Sequence, residues 1–212
     1  MYAIIARQLL EGWMIILSRI VTIEELREIA SEERETIWEQ AREQGREPKI
    51  YMHWSAGHYN TVFDDYHINI TADGTLYLTG NLSDLKAHTY HRNTGAVGVS
   101  MCCAYGANTS DLGDEPPTAA QIEAMAQAVE AIADGLWLTI DMEHVMTHGE
   151  AADNVDGIYA SDPYGPQADC QRWDLQYLGT SESPYYTTNY DDEHTGGNVL
   201  RGKANWYRNQ RG

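Results

Sequence analysis

Thr118-Ala119-Ala120-Gln121 forms a capping box, in which the Thr hydroxyl accepts from the third helical N–H and the Gln side chain reaches back to the Thr N–H. Behind it, Ile122, Met125, Val129, Ile132 and Leu136 fall on one face, and Gly135 suits a helix end. A stripe at this spacing is a core face, so the helix must pack on an apolar partner. The chain offers short strand-like runs at Lys49–Trp54, His67–Ile70, Thr75–Leu78 and Ala96–Cys103, with Asp73-Gly74 as a favoured hairpin turn between the middle two. A second capping box, Thr22-Ile23-Glu24-Glu25, heads Ile23, Leu26, Ala30, Ile37 and Ala41 at helical spacing as far as Gly45, before Pro48 ends the region.

Charge excludes one large class of function. Fourteen Lys and Arg stand against 32 Asp and Glu, a formal net charge of -18, which leaves few cations to neutralise phosphates. No nucleic-acid partner is expected. Cys102, Cys103 and Cys170 are too few for a disulfide framework, and an odd count leaves a thiol free, which fits folding in a reducing compartment. The apolar clusters of residues 1–20 are interrupted by Arg7, Glu11 and Arg19. The uninterrupted run is far below the roughly 18 residues of a membrane span, so no stable insertion is expected. This stretch reads as a helix docked on the domain, with a weak signal or membrane-surface helix as the alternative.

The chemical resource is eight histidines: His53, His58, His67, His88, His91, His144, His148 and His194. His53 ends a predicted strand ahead of the small residues Ser55-Ala56-Gly57, and His148 ends the short apolar run Val145-Met146-Thr147. Two imidazoles at strand ends, joined by a carboxylate or thiolate from a later loop, make a three-ligand zinc site with one open position. No His-Glu-x-x-His helix is present. Between His148 and Leu200 lie ten acids and a single base, Arg172, so the later ligand has many candidates.

Five segments occur in order: His53-Trp54-Ser55-Ala56-Gly57, Asp65-Tyr66-His67-Ile68-Asn69-Ile70, Asp73-Gly74-Thr75-Leu76-Tyr77, the run from Ala87-His88-Thr89-Tyr90-His91-Arg92-Asn93 to Val99, and Val145-Met146-Thr147-His148. Together, over about Lys49 to Leu178, they resemble the zinc-dependent N-acetylmuramoyl-L-alanine amidases of type 2, the group that includes peptidoglycan recognition proteins. The resemblance implies an α/β fold, a mixed central sheet flanked by helices. To it are added an N-terminal helical extension over 1–47 and a C-terminal tail over 181–212, both docked on a catalytic domain over 48–180.

The resemblance also implies one zinc ion per chain, with His53 and His148 as ligands. For the third it favours Asp174, because Arg172-Trp173-Asp174 reproduces the family's cation-x-ligand spacing. Cys170 follows, then Asp169 and Asp162, and His144 competes with His148. Tyr66 matches a tyrosine that lines the family's site, and Arg172 stands where the family's Lys stabilises the oxyanion. Many bacterial relatives have a Glu on the strand where this chain has Ser100. Glu150 is then either a substitute general base or a residue that orients a ligand. His88, His91 and Asn93 lie in a loop that edges the family's groove and are candidates for substrate contact. His67 is expected to pack beside the hairpin.

The implied reaction is hydrolysis of the amide between N-acetylmuramic acid and L-alanine in peptidoglycan, by a divergent lytic enzyme of phage or prophage type. It would be made in the bacterial cytoplasm and reach the wall or periplasm after release, without a clear signal peptide. The alternative is a non-catalytic module of the same fold that binds muramyl peptides. Loss of the third ligand would mark that case.

Overall fold

In the computed structural model, residues 18–158 and 174–211 are described. They form β1 (Ser18–Val21), α1 (Ile23–Glu43), β2 (Lys49–Trp54), β3 (Ile68–Ile70), β4 (Leu76–Thr79), β5 (Ala96–Met101), α2 (Ala119–Gly135), β6 (Val145–Thr147), α3 (His148–Ala152) and α4 (Gly196–Arg211). The strands build one mixed sheet in the order β1-β4-β3-β5-β2-β6, antiparallel at β1/β4 and β4/β3 and parallel from β3 through β5 and β2 to β6. This is the expected mixed α/β sheet flanked by helices.

Both capping boxes form, on Thr22 with Glu25 and on Thr118 with Gln121. The alternation of strand side chains separates the two sheet faces. Ile50, Met52 and Trp54 of β2, Val97, Val99 and Met101 of β5, and Ile68 and Ile70 of β3 join one core with Met125, Val129 and Ile132 of α2. Leu26, Ala30 and Ile37 of α1 and Leu200 and Ala204 of α4 belong to the same cluster. Where α2 ends against α1, a Cβ on Gly135 would lie 2.6 Å from the Ala30 Cβ and 2.8 Å from the Arg27 carbonyl oxygen, so only glycine permits this approach.

The opposite face is different in kind. Tyr51 and His53 of β2, Gly98 and Ser100 of β5 and Asn69 of β3 alternate with the apolar set and point to the other side, so that face is polar at its centre. Tyr51, Ala96, Met146 and Ala151 make a small second cluster there, which seats α3 beside β2 and β6.

One expectation needs correction. Ser18, Arg19 and Ile20 do not end a helix; with Val21 they form β1 and pair with β4, Ile20 opposite Tyr77. Thr22 caps α1 in an extended conformation, and the residues leading into it run on as an edge strand held by its pairing with β4, with Val21 buried and Ile20 exposed. Residues 1–17 of the expected helix lie outside the described residues.

Candidate metal centre

β2 and β6 run parallel in register, Ile50 opposite Val145, Tyr51 opposite Met146 and Met52 opposite Thr147. The next pair along is His53 and His148, whose ring centroids lie 5.0 Å apart. Thr147 also caps α3: its hydroxyl accepts from the Glu150 N–H, so the chain turns into the helix with His148 at its first position. Asp174 comes from a later segment docked onto this turn, where the Gly149 N–H donates to the Asp174 carbonyl at 3.3 Å.

The side chains then converge. His53 Nδ1 and His148 Nδ1 each lie 3.4 Å from Asp174 Oδ2, and one ligand atom from each of the three residues falls within 4.8 Å of the others. Zinc bonds of about 2.0–2.2 Å at a tetrahedral angle place neighbouring donors about 3.3–3.6 Å apart, so the spacing fits that ion. His53 Nδ1 is buried without a hydrogen-bond partner, an arrangement that a bound cation would relieve.

Electrostatics point the same way. Burial, followed by the neighbouring imidazoles of His148, His88 and His67, holds His53 neutral well below the ordinary histidine range. Neutral imidazole is the form that ligates. Burial pushes the Asp174 carboxyl up to about 6, against the pull of His148 and of hydrogen bonds from Trp54. A carboxylate this deep, beside two imidazoles, is in surroundings that a divalent cation would compensate.

These groups open into a groove of about 490 Å³ lined by Trp54, Ser55, Ala56, Phe63, Asp65, Tyr66, Ala87, His88, Ala104, Gly106, Ala107, His148 and Asp174. Tyr66 lies on its wall, its ring centroid 5.0 Å from that of His53. Burial and the nearby Asp174 raise the phenol, which keeps its proton and remains a hydrogen-bond donor. Among the described residues, the groove's carboxylates are Asp65 and Asp174. Asp65 is exposed and has no hydrogen bond or ion pair to a described residue; sequence reasoning gave it no role.

Several sequence candidates sit elsewhere. Glu150 is 1 % exposed, and its oxygens accept from Arg201 Nη2 at 2.7 Å, Arg201 Nη1 at 2.8 Å and the Thr147 N–H at 2.7 Å. It does not line the groove, and both of its oxygens are engaged by Arg201 and the Thr147 N–H, the surroundings of a structural ion pair next to His148. His144, the competitor of His148, is bound to Asp141, Thr139 and Glu47 and is not one of the three converging donors. His88 lines the groove but is 5 % exposed, and Asn93 spends its side-chain oxygen on the Thr89 N–H at 2.7 Å. His91 is exposed and lies outside the groove lining. Of the three, His88 borders the groove, whereas His91 and Asn93 lie outside its lining. His67 packs beside the hairpin, accepting from the Gly98 N–H and donating to the Asp84 carbonyl. Arg172, Cys170, Asp169 and Asp162 lie outside the described residues.

Comparison with known proteins adds an independent line. No curated protein sequence matches the chain. Among solved structures it is similar to the endolysin N-acetylmuramoyl-L-alanine amidase LysCS from Clostridium intestinale URNW, at 17 % identity over 48 % of this chain and 68 % of that one, with a TM-score of 0.38. The family model described as N-acetylmuramoyl-L-alanine amidase matches residues 29–164, which begins inside α1 and includes His53 and His148. That match spans more than half of the sequence, and the chain belongs to the N-acetylmuramoyl-L-alanine amidase family.

Proposed function

We propose that this amidase hydrolyses the amide between the lactyl group of N-acetylmuramic acid and L-alanine of the peptidoglycan stem, with one zinc ion held by His53, His148 and Asp174. The observation that carries the reading is the convergence of His53 Nδ1, His148 Nδ1 and Asp174 Oδ2 at 3.4 Å spacing in an open groove. When bound, zinc lowers the pKa of water and polarises a carbonyl, which answers the two weaknesses of an amide facing neutral water.

The chain's own groups supply the rest. The protonated Tyr66 phenol donates a hydrogen bond to the oxygen of the scissile carbonyl as negative charge gathers there. Asp174 is taken up as the third ligand, which leaves Asp65 as the groove carboxylate, among the described residues, to take the proton of the attacking water. To Arg172 we assign the oxyanion-stabilising role that the family resemblance implies.

A lytic role on a thin wall is the natural setting, since a net charge of -18 repels anionic wall polymers. We assign the chain to the phage or prophage class of such enzymes. The complete donor set favours turnover over a module that only binds.

The test is metal analysis of the purified protein with His53→Ala and Asp174→Ala, alongside release of stem peptides from sacculi. One zinc per chain, lost in either variant together with peptide release, supports the proposal. Zinc retained in Asp174→Ala overturns the ligand set. Tight sacculus binding by the zinc-loaded protein without peptide release overturns the hydrolase reading in favour of the binding module.

A further inference from the structure

The loop from His88 to Asn93 turns its second residue toward the back of a proposed metal ligand. Thr89, 3 % exposed, places its Oγ1 3.4 Å from His53 Nε2 and 2.9 Å from His88 Nδ1. If His53 offers the lone pair of Nδ1 to a metal, its ring proton sits on Nε2, and that N–H donates to Thr89 Oγ1. The hydroxyl proton of Thr89 then donates to His88 Nδ1. One hydroxyl thus accepts from one imidazole and donates to another, with no conflict of protons.

The rest of the loop holds Thr89 still. Its N–H donates to Asn93 Oδ1 at 2.7 Å, and its carbonyl accepts from the Arg92 N–H at 3.0 Å. Arg92 is clamped in turn by both oxygens of Asp156 at 2.8 and 2.9 Å, with both side chains 2 % exposed. The His88 ring lies flat against β5 at Gly98, where a Cβ would come within 2.6 Å of its Cγ; the missing side chain makes room for the ring.

We infer that Thr89 is a positioning residue: it fixes the tautomer and ring orientation of His53 so that Nδ1 faces the metal, while His88 and Asn93 fix Thr89. The inference rests on the proposed zinc site. Outer partners of this kind govern metal affinity, and removing one typically weakens binding about 10–100-fold.

The experiment compares the full-length wild type with Thr89→Val, nearly isosteric but without the hydroxyl, and with Thr89→Ser, which restores it. Zinc affinity is read by competition with a chromophoric chelator, and the tautomer of His53 by ¹⁵N NMR of the metal-free proteins. Thr89→Val is expected to bind zinc about 10–100-fold more weakly and to lose the preference for the Nε2–H tautomer, with Thr89→Ser close to wild type on both counts. If Thr89→Val does not fold, Asn93→Ala is read in its place and is expected to weaken zinc binding in the same direction. Zinc affinity and tautomer unchanged in Thr89→Val, or Thr89→Ser as weak as Thr89→Val, overturns the inference alone. A wild type that takes up no zinc overturns the proposed function and the inference with it.

Discussion

Glu150→Ala separates a buried ion pair from a catalytic base. The carboxylate accepts two hydrogen bonds from Arg201 and one from the Thr147 N–H, and the Arg201 side chain is only 6 % exposed. Removing it leaves a buried guanidinium with the Val145 carbonyl and Asn198 Oδ1 as its neutral partners. Breaking a buried pair from one side costs about 3–5 kcal/mol, because the remaining charge stays desolvated and uncompensated. For a chain of this size each kcal/mol moves Tm by about 2–4 °C, so the variant should melt about 6–20 °C lower. Glu150→Leu combined with Arg201→Met removes both charges and should recover part of the loss. The orphaned Thr147 N–H keeps about 1–3 kcal/mol of it.

The assay is urea unfolding, with the midpoint falling at constant slope, paired with peptide release measured well below the transition. The folded Glu150→Gln enzyme should keep kcat within about an order of magnitude of wild type. A general base lost in that way costs about 10²–10⁴-fold. Wild-type stability together with a kcat loss of that size in Glu150→Gln would refute the reasoning.

Three further outcomes are expected. Asp65→Asn should lower kcat by about 10²–10⁴-fold while leaving Tm unchanged, since the exposed carboxylate bonds to no described residue; kcat at the wild-type level would remove Asp65 from the chemistry. Burial lowers His67 to about 4 in the folded protein against about 6.5 unfolded, so its contribution is complete above pH 6.5 and is lost as pH falls toward 4. Between pH 7 and 4.5 urea stability should therefore fall by about 2 kcal/mol more in wild type than in His67→Gln, and equal falls would contradict this. On sacculi that carry anionic polymers, activity should rise as salt goes from about 10 to 150 mM and the Debye length shrinks from roughly 30 to 8 Å, with no such rise on polymer-free sacculi.

What could be read from the residues alone was whatever short-range chemistry decides. Thr22 with Glu25 and Thr118 with Gln121 set helix starts within four residues, and the Asp73-Gly74 turn sets the β3–β4 hairpin, so these were legible. The strand β1 was not: Ser18–Val21 has too little sequence to show a period, and only pairing with β4 makes it a strand. Glu150 shows the other limit. Its spacing from His148 gave it two readings, and the choice fell to Arg201, 51 residues on, whose approach no local pattern encodes. The 88–93 loop was assigned to the groove by resemblance, whereas the bonds within it, Asn93 to Thr89 and Thr89 to His53, turn on side-chain rotamers.

The centre itself is a consequence of strand direction. His53 and His148 are 95 positions apart, yet parallel pairing of β2 with β6 in the register Met52 to Thr147 makes them the next neighbours at the same sheet end. Parallel strands need a crossover, and the segment carrying α2 supplies it: α2 buries its apolar stripe on the aliphatic face of the sheet, which leaves the opposite face, with His53 on it, open to a groove. The same alternation ties core to chemistry. A slip of one residue in β2 would turn His53 into the aliphatic layer and expose Met52 and Trp54, so the packing of Ile50, Met52 and Trp54 is what holds the first donor in place. Asp174 then needs only to dock at the end of an already fixed pair, which it does through its own carbonyl on the Gly149 N–H.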